Sequence, residues 1–217
     1  MTKPRVAVLI SGRGSNMMSL IEAAAAPDFP AEIAVVISNR PDAHGLARAQ
    51  AANIPTRAID HKAFADRAGF DAALDAALAE EQVDLVCLAG FMRLLTAGFT
   101  QKWSGRMINI HPALLPSFKG LHTHERALAE GVKIHGCTVH FVTAEMDVGP
   151  IIMQAAVPVL EGDTPDTLGA RVLEQEHVIY PAALRLVSDG RARLAGNRVA
   201  VDEFEAIPPA LVVPPAG

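Results

Sequence analysis

The sequence predicts an α/β fold built on a mostly parallel, twisted sheet with helices on both faces and an antiparallel portion in its C-terminal half. Three observations carry this reading. Short apolar runs without polar alternation at 5–10, 33–38 and 83–89 have the pattern of strands covered on both faces. Segments with helical spacing separate them, giving β-α-β-α-β-α-β, then a loop, then β, the order of a parallel sheet wrapped by helices. Residues 136–142 instead alternate, and an acidic turn at 145–150 leads into a further apolar strand at 151–159, the pattern of an antiparallel pair. With 217 residues, half of them apolar, the chain suffices for one generous domain.

The first strand feeds into Ser11-Gly12-Arg13-Gly14-Ser15-Asn16 and then a helix. Strand, glycine-rich turn and helix together point free backbone N–H groups, aided by the helix dipole, at an anion. The dinucleotide fingerprint is incomplete, because Met17 stands where its third glycine belongs, and no Gly-Lys-Ser/Thr follows for a Walker loop. Two readings of the turn stay open: a phosphate site, or a tight turn in which Ser15 or Asn16 caps the helix. After the second strand, Ser38-Asn39-Arg40 replaces the acidic residue that a nicotinamide enzyme places there. Helical spacing follows at 43–52, a short strand at 56–59 and an alanine-rich helix at 64–81 with Arg67 on its first turn. Gly90-Phe91-Met92-Arg93-Leu94-Leu95 leaves the carboxyl end of the strand at 83–89, where open α/β sheets bind ligands. These apolar residues suit either a pocket floor or ordinary core.

Residues 107–150 hold five of the eight histidines. Asn109 and His111 share a face of the strand at 107–110, and Pro112 ends it by offering no ladder donor. A helix is expected at about 123–130. Within 136–142, Cys137, Val139 and Phe141 face one side, Thr138 and His140 the other. A long helix at 168–187 carries Leu168, Val172, Ile179, Ala183 and Val187 on one stripe, with Glu176 in its middle. A carboxylate there is paired or functional, unless a kink at Pro181 lets it reach water. A hairpin around Gly196-Asn197 and a proline-rich tail at 207–217 follow, so the boundaries expected are a main domain at 1–190 and a peripheral hairpin and tail at 191–217.

Composition narrows the function classes. A net charge of −5 gives no electrostatic footprint for nucleic acid or an anionic membrane. Cys87 and Cys137 lie in apolar runs and read as buried thiols of a reducing compartment. The opening apolar run is too short for a signal core or a membrane span, and the cytoplasm is the expected location. No histidine pair has HExxH spacing, so no metal is expected. A Ser or Cys nucleophile is disfavoured for want of an elbow or Cys-His signature. An asparagine donor, a histidine and a carboxylate are instead the parts for attack on a carbonyl by a substrate amine.

Asn109-Ile110-His111-Pro112, then LLPSFKGLHTH, then HFVTAEMDVGP strongly resemble the folate-dependent formyltransferases, and the resemblance runs from the turn at 11–16 to Glu176 and Tyr180. It implies a single-domain, Rossmann-like formyltransferase fold. It also implies transfer of a formyl group from 10-formyltetrahydrofolate, as co-substrate, to the amine of glycinamide ribonucleotide in purine synthesis. Asn109, His111 and Asp147 match the catalytic trio, so the nearness of Asp147 to His111 is an expectation of the resemblance. Gly14, Ser15 and Asn16 match the segment that holds the nucleotide phosphate, and Glu176 a carboxylate that contacts the ribonucleotide. Met92, Arg93, Leu94, Leu95 and Asn109 match the formylfolate pocket, as does Arg67, whose charge suits the folate's acidic portion. Arg13 departs from the asparagine of some relatives. The partners implied are small molecules, with no nucleic acid or membrane, and a monomer or homodimer. The rival activities are a formyltetrahydrofolate hydrolase, whose relatives usually carry an extra amino-terminal domain, and a non-catalytic nucleotide-binding module.

Overall fold

Seven strands form one sheet: β1 (Arg5–Ile10), β2 (Glu32–Ser38), β3 (Thr56–Ala58), β4 (Leu85–Leu88), β5 (Met107–His111), β6 (Ile134–Phe141) and β7 (Ile151–Pro158). A computed structural model describes residues 2–202, 211 and 213 of the chain. The spatial order is β3-β2-β1-β4-β5-β6-β7. Strands β1 to β5 pair in parallel, whereas β6 runs antiparallel to both β5 and β7. The order reverses at β1, which has β2 on one side and β4 on the other. The carboxyl ends of β1 and β4 therefore diverge around a crevice.

Strand alternation divides β1 between two cores. Val6, Val8 and Ile10 pack under helices α1 (Ser15–Ala24), α2 (His44–Ala51), α5 (Thr123–Ala129) and α6 (Pro165–Ser188). Ala7 and Leu9 face α3 (Arg67–Glu80) and α4 (Ala97–Lys102) on the other side. A strand with both faces buried has no use for polar alternation, which is why its sequence is continuously apolar. The thiols of Cys87 and Cys137 are fully buried and unpaired, and burial pushes each up to about 12.

Helix α4 occupies part of the segment between β4 and β5 that reads as loop. Its six residues are too few to show a period, but the Thr96 hydroxyl caps it by accepting the Phe99 N–H at 3.3 Å. Helix α3 starts later than expected because Asp66 is its cap and accepts the Gly69 N–H at 2.8 Å. Strand β6 alternates in sequence, yet both its faces are buried. The loop after β5 covers the face of Thr138, whose hydroxyl donates to Ala113 O (2.7 Å) and accepts from Leu115 N–H (3.0 Å) and Gln154 Nε2 (2.9 Å). That loop includes a cis Leu115-Pro116 bond.

Helix α6 continues unbroken through Pro181, and Glu176 stays buried, 6% exposed, which overturns the alternative of a kink that opens it to water. Four residues on, the buried Tyr180 hydroxyl donates to Leu88 O at 2.9 Å and lies 3.3 Å from Ile108 O, beneath β4 and β5. Strands β8 (Ala192–Ala195) and β9 (Arg198–Val201) form a hairpin around Gly196-Asn197, with Gly196 at φ 64 as such a two-residue turn requires. Apart from positions 211 and 213, the tail at 207–217 lies outside the described residues. Among the described residues no helix is long and apolar enough to cross a membrane.

Candidate active site

A cleft of about 1030 Å³ opens at the carboxyl ends of β1, β4 and β5. Ser15 and Asn16 line one side, Phe91 to Leu95 another, and Asn109, His111 and Asp147 the wall between, with Glu176 entering from α6. Its volume is at the upper end of ordinary ligand pockets.

His111 and Asp147 meet at 3.5 Å, Nδ1 to Oδ2, with both side chains over nine-tenths buried. His111 Nε2 lies 3.0 Å from Phe118 O, and a carbonyl only accepts, so Nε2 carries the proton in that contact. The other ring nitrogen, Nδ1, thus faces the carboxylate. Asp147 sits at φ 56, in the left-handed region, and its Oδ2 accepts the Gly120 N–H at 2.8 Å. The turn that carries it passes so close to β6 that a Cβ on Gly149 would meet Phe141 O at 1.7 Å.

Asn109 pairs with His140 across the β5–β6 ladder. His140 Nδ1 lies 2.8 Å from Phe141 O and must donate there. Its Nε2, 3.2 Å from Asn109 Nδ2, then accepts one amide hydrogen and leaves the second for a ligand. Burial lowers the His140 pKa, with the neighbouring carbonyl and Asp147 pulling the other way, which suits this neutral form. His124 also lines the cleft, 3.2 Å from the buried His135. Burial and then His124 push His135 down to about 4, and burial lowers His124 as well. Among the described residues no group of three or more potential ligands is placed to hold a metal.

On the other side, Gly14 rather than Ser15 or Asn16 is the cap residue of α1, at φ 71, and no side chain caps the helix. The capping alternative is thereby overturned, and the first-turn N–H groups stay free of side-chain partners. A Cβ on Gly14 would lie 3.2 Å from the Gly45 backbone, so the tight turn and its φ both require glycine. Asn16 Nδ2 donates to Glu176 Oε2 at 2.7 Å, while Asn16 Oδ1 is buried without a partner among the described residues. Burial pushes the Glu176 carboxyl up to about 7, against the lowering effect of Asn16.

The cleft thus brings together Ser15, Asn16, Met92, Arg93, Leu94, Leu95, Asn109, His111, Asp147 and Glu176. Gly14 shapes the turn without lining it, and Arg67, exposed at the first position of α3, stands outside the cleft wall. His140, which shares a strand face with Thr138 and reads from sequence as a supporting histidine, stands beside the catalytic candidate Asn109. Arg13, which departs from the asparagine of some relatives, lines the cleft.

The formyl transferase family matches residues 4–184. The chain is 55% identical over 195 residues, 90% of its length, to the human trifunctional purine biosynthetic protein adenosine-3, but spans only 19% of that much longer relative. It is 45% identical to phosphoribosylglycinamide formyltransferase of Haemophilus influenzae, covering 91% of this chain and 93% of the relative. A crystal structure of glycinamide ribonucleotide transformylase 1 from Symbiobacterium toebii superposes with a TM-score of 0.89 at 50% identity, covering 92% of this chain and 94% of the other.

Proposed function

The chain belongs to the formyl transferase family, and from that premise we propose that it transfers a formyl group from 10-formyltetrahydrofolate to the amine of glycinamide ribonucleotide, a cytoplasmic step of purine biosynthesis. The observation that carries this reading is the meeting of His111 and Asp147 at 3.5 Å beside Asn109, in a cleft of about 1030 Å³.

In this reading the nucleotide phosphate lies on the uncapped first turn of α1, at Gly14, Ser15 and Asn16, and Glu176 contacts the ribonucleotide. Met92, Arg93, Leu94 and Leu95 hold the formylfolate ring system. Arg67, outside the cleft wall, serves only a portion of the ligand that projects beyond it, such as the folate's acidic part. The amine attacks the formyl carbon. The developing oxyanion accepts from the free Asn109 amide hydrogen and lies beside the His111–Asp147 pair. Collapse breaks the bond to the folate nitrogen, which takes up a proton as the former amine loses one.

The test uses purified protein with 10-formyltetrahydrofolate, with and without glycinamide ribonucleotide. Formyl transfer dependent on the amine is the expected result. Amine-independent formyl release indicates the hydrolase instead, and no turnover indicates a binding module.

A further inference from the structure

Ser11, immediately after β1, is 5% exposed and does not line the cleft, yet it stands between the cleft's two sides. Its hydroxyl has a single proton, which it donates to Asn39 Oδ1, and the same oxygen accepts the Met92 backbone N–H at 2.7 Å. Asn39, 2% exposed just after β2, has its backbone O 2.8 Å from His61 Nδ1, which must donate there. Ser11 is therefore held between the buried Asn39 side chain and the Met92 backbone. The residue after it opens the glycine turn, whose backbone α2 grips through Gly45 N–H to Gly12 O (2.9 Å) and Arg48 Nη1 to Arg13 O (3.0 Å).

On the opposite wall, Phe91 stacks on the buried Phe70 with ring centroids 6.4 Å apart, and the Arg93 guanidinium lies 5.0 Å over the same ring. Residues 91–95 contain no helix or strand, and Met92 and Leu94 are 66% and 56% exposed. The Thr96 N–H, at the far end of the segment, is tied to Asp71 Oδ2 at 2.7 Å. At the near end, Met92 is held by Ser11.

We propose that Ser11 is a positioning residue that couples the two halves of the cleft: its hydroxyl sets the 91–95 wall from the glycine turn, so that a phosphate seated on the turn changes affinity at the wall. The assignment of phosphate to one side and formylfolate to the other rests on the functional reading above. Coupling of this kind is reciprocal, so formylfolate must raise affinity for the ribonucleotide by the same factor.

The test compares the wild-type chain with Ser11→Ala, the near-isosteric Ser11→Cys, whose sulfur is a weak acceptor, and Ser11→Thr, which keeps the hydroxyl. Leaving the Met92 N–H without its acceptor is expected to raise the KM for 10-formyltetrahydrofolate about tenfold in the Ala and Cys variants, with kcat changed by less than about threefold and recovery in Thr. Calorimetry with 5-formyltetrahydrofolate, whose formyl group sits on a nitrogen unsuited to transfer, reads the coupling directly. Wild-type affinity should rise when glycinamide ribonucleotide is bound, and that rise should vanish in Ser11→Ala and Ser11→Cys. Unaltered constants in both variants, or a parallel loss of kcat and both KM values, overturns the coupling. Absence of the affinity rise in wild type does so too. A wild-type protein that turns over no formylfolate overturns the functional reading, and this proposal with it.

Discussion

Asn109 and His140 face one another across the antiparallel β5–β6 pair with Nδ2 and Nε2 3.2 Å apart, and His140 is itself locked by Phe141 O. The histidine thus fixes which way the Asn109 amide points. His140→Ala frees that amide and is expected to lower kcat about tenfold or more, with smaller effects on either KM. His140→Gln, whose carbonyl can still accept from Asn109, should retain more activity. Equal kcat values in Ala, Gln and wild type would show that the amide is oriented by something else.

Asp147 is held at φ 56, a region that asparagine tolerates. Asp147→Asn therefore removes the charge beside His111 without straining the turn. Turnover should fall by about two orders of magnitude, with smaller effects on either KM. Steady-state kinetics check this, and an unchanged kcat would remove Asp147 from the mechanism.

The buried Glu176 carboxyl is pushed up to about 7 from an ordinary 4.5. A carboxyl raised in this way favours the folded state fully below its unfolded value and loses that contribution as pH rises through the folded one. Stability of the ligand-free protein should accordingly decline between about pH 4.5 and 7, by on the order of 3 kcal/mol from this group. Glu176→Gln keeps an acceptor for Asn16 and cannot ionise, so its urea midpoint should change less over the same range. Identical pH slopes in the two proteins would refute the assignment.

The Thr138 hydroxyl serves two donors and one acceptor in a site with no exposure. Thr138→Val keeps the shape but removes the hydroxyl's bonds to Ala113 O, Leu115 N–H and Gln154 Nε2, leaving Leu115 N–H and Ala113 O only their mutual contact at 3.1 Å. A fall in Tm of roughly 2–10 °C is expected. If the melt is unchanged while formylfolate binding weakens, the hydroxyl serves the site rather than the fold.

Much of this was legible because burial on two faces writes itself into composition. The runs at β1, β2 and β4 are apolar throughout because a core lies on each side of them. The antiparallel β6–β7 pair followed from alternation, yet the alternation misled about exposure. The loop after β5 buries Thr138, a contact that no local pattern encodes. Helix α4 escaped notice because six residues show less than two periods. Asn109 and His111 announced themselves by strand spacing, but their meeting with Asp147 needs a chain reversal through β6, and the partnership of Asn109 with His140 needs a register that only pairing supplies. Glu176 stood out as a charge on an apolar stripe, whereas its contact with Asn16 spans 160 residues.

The tether at Tyr180 acts as a depth stop for the longest helix. Residues four apart on a helix share a face and differ by about 6 Å in height. With the Tyr180 hydroxyl pinned beneath β4 and β5, α6 can neither slide along its axis nor roll without breaking that bond. The carboxylate one turn earlier consequently reaches the cleft at a single height, gauged from the same two strands that lead into the segment at 91–95 and end in His111.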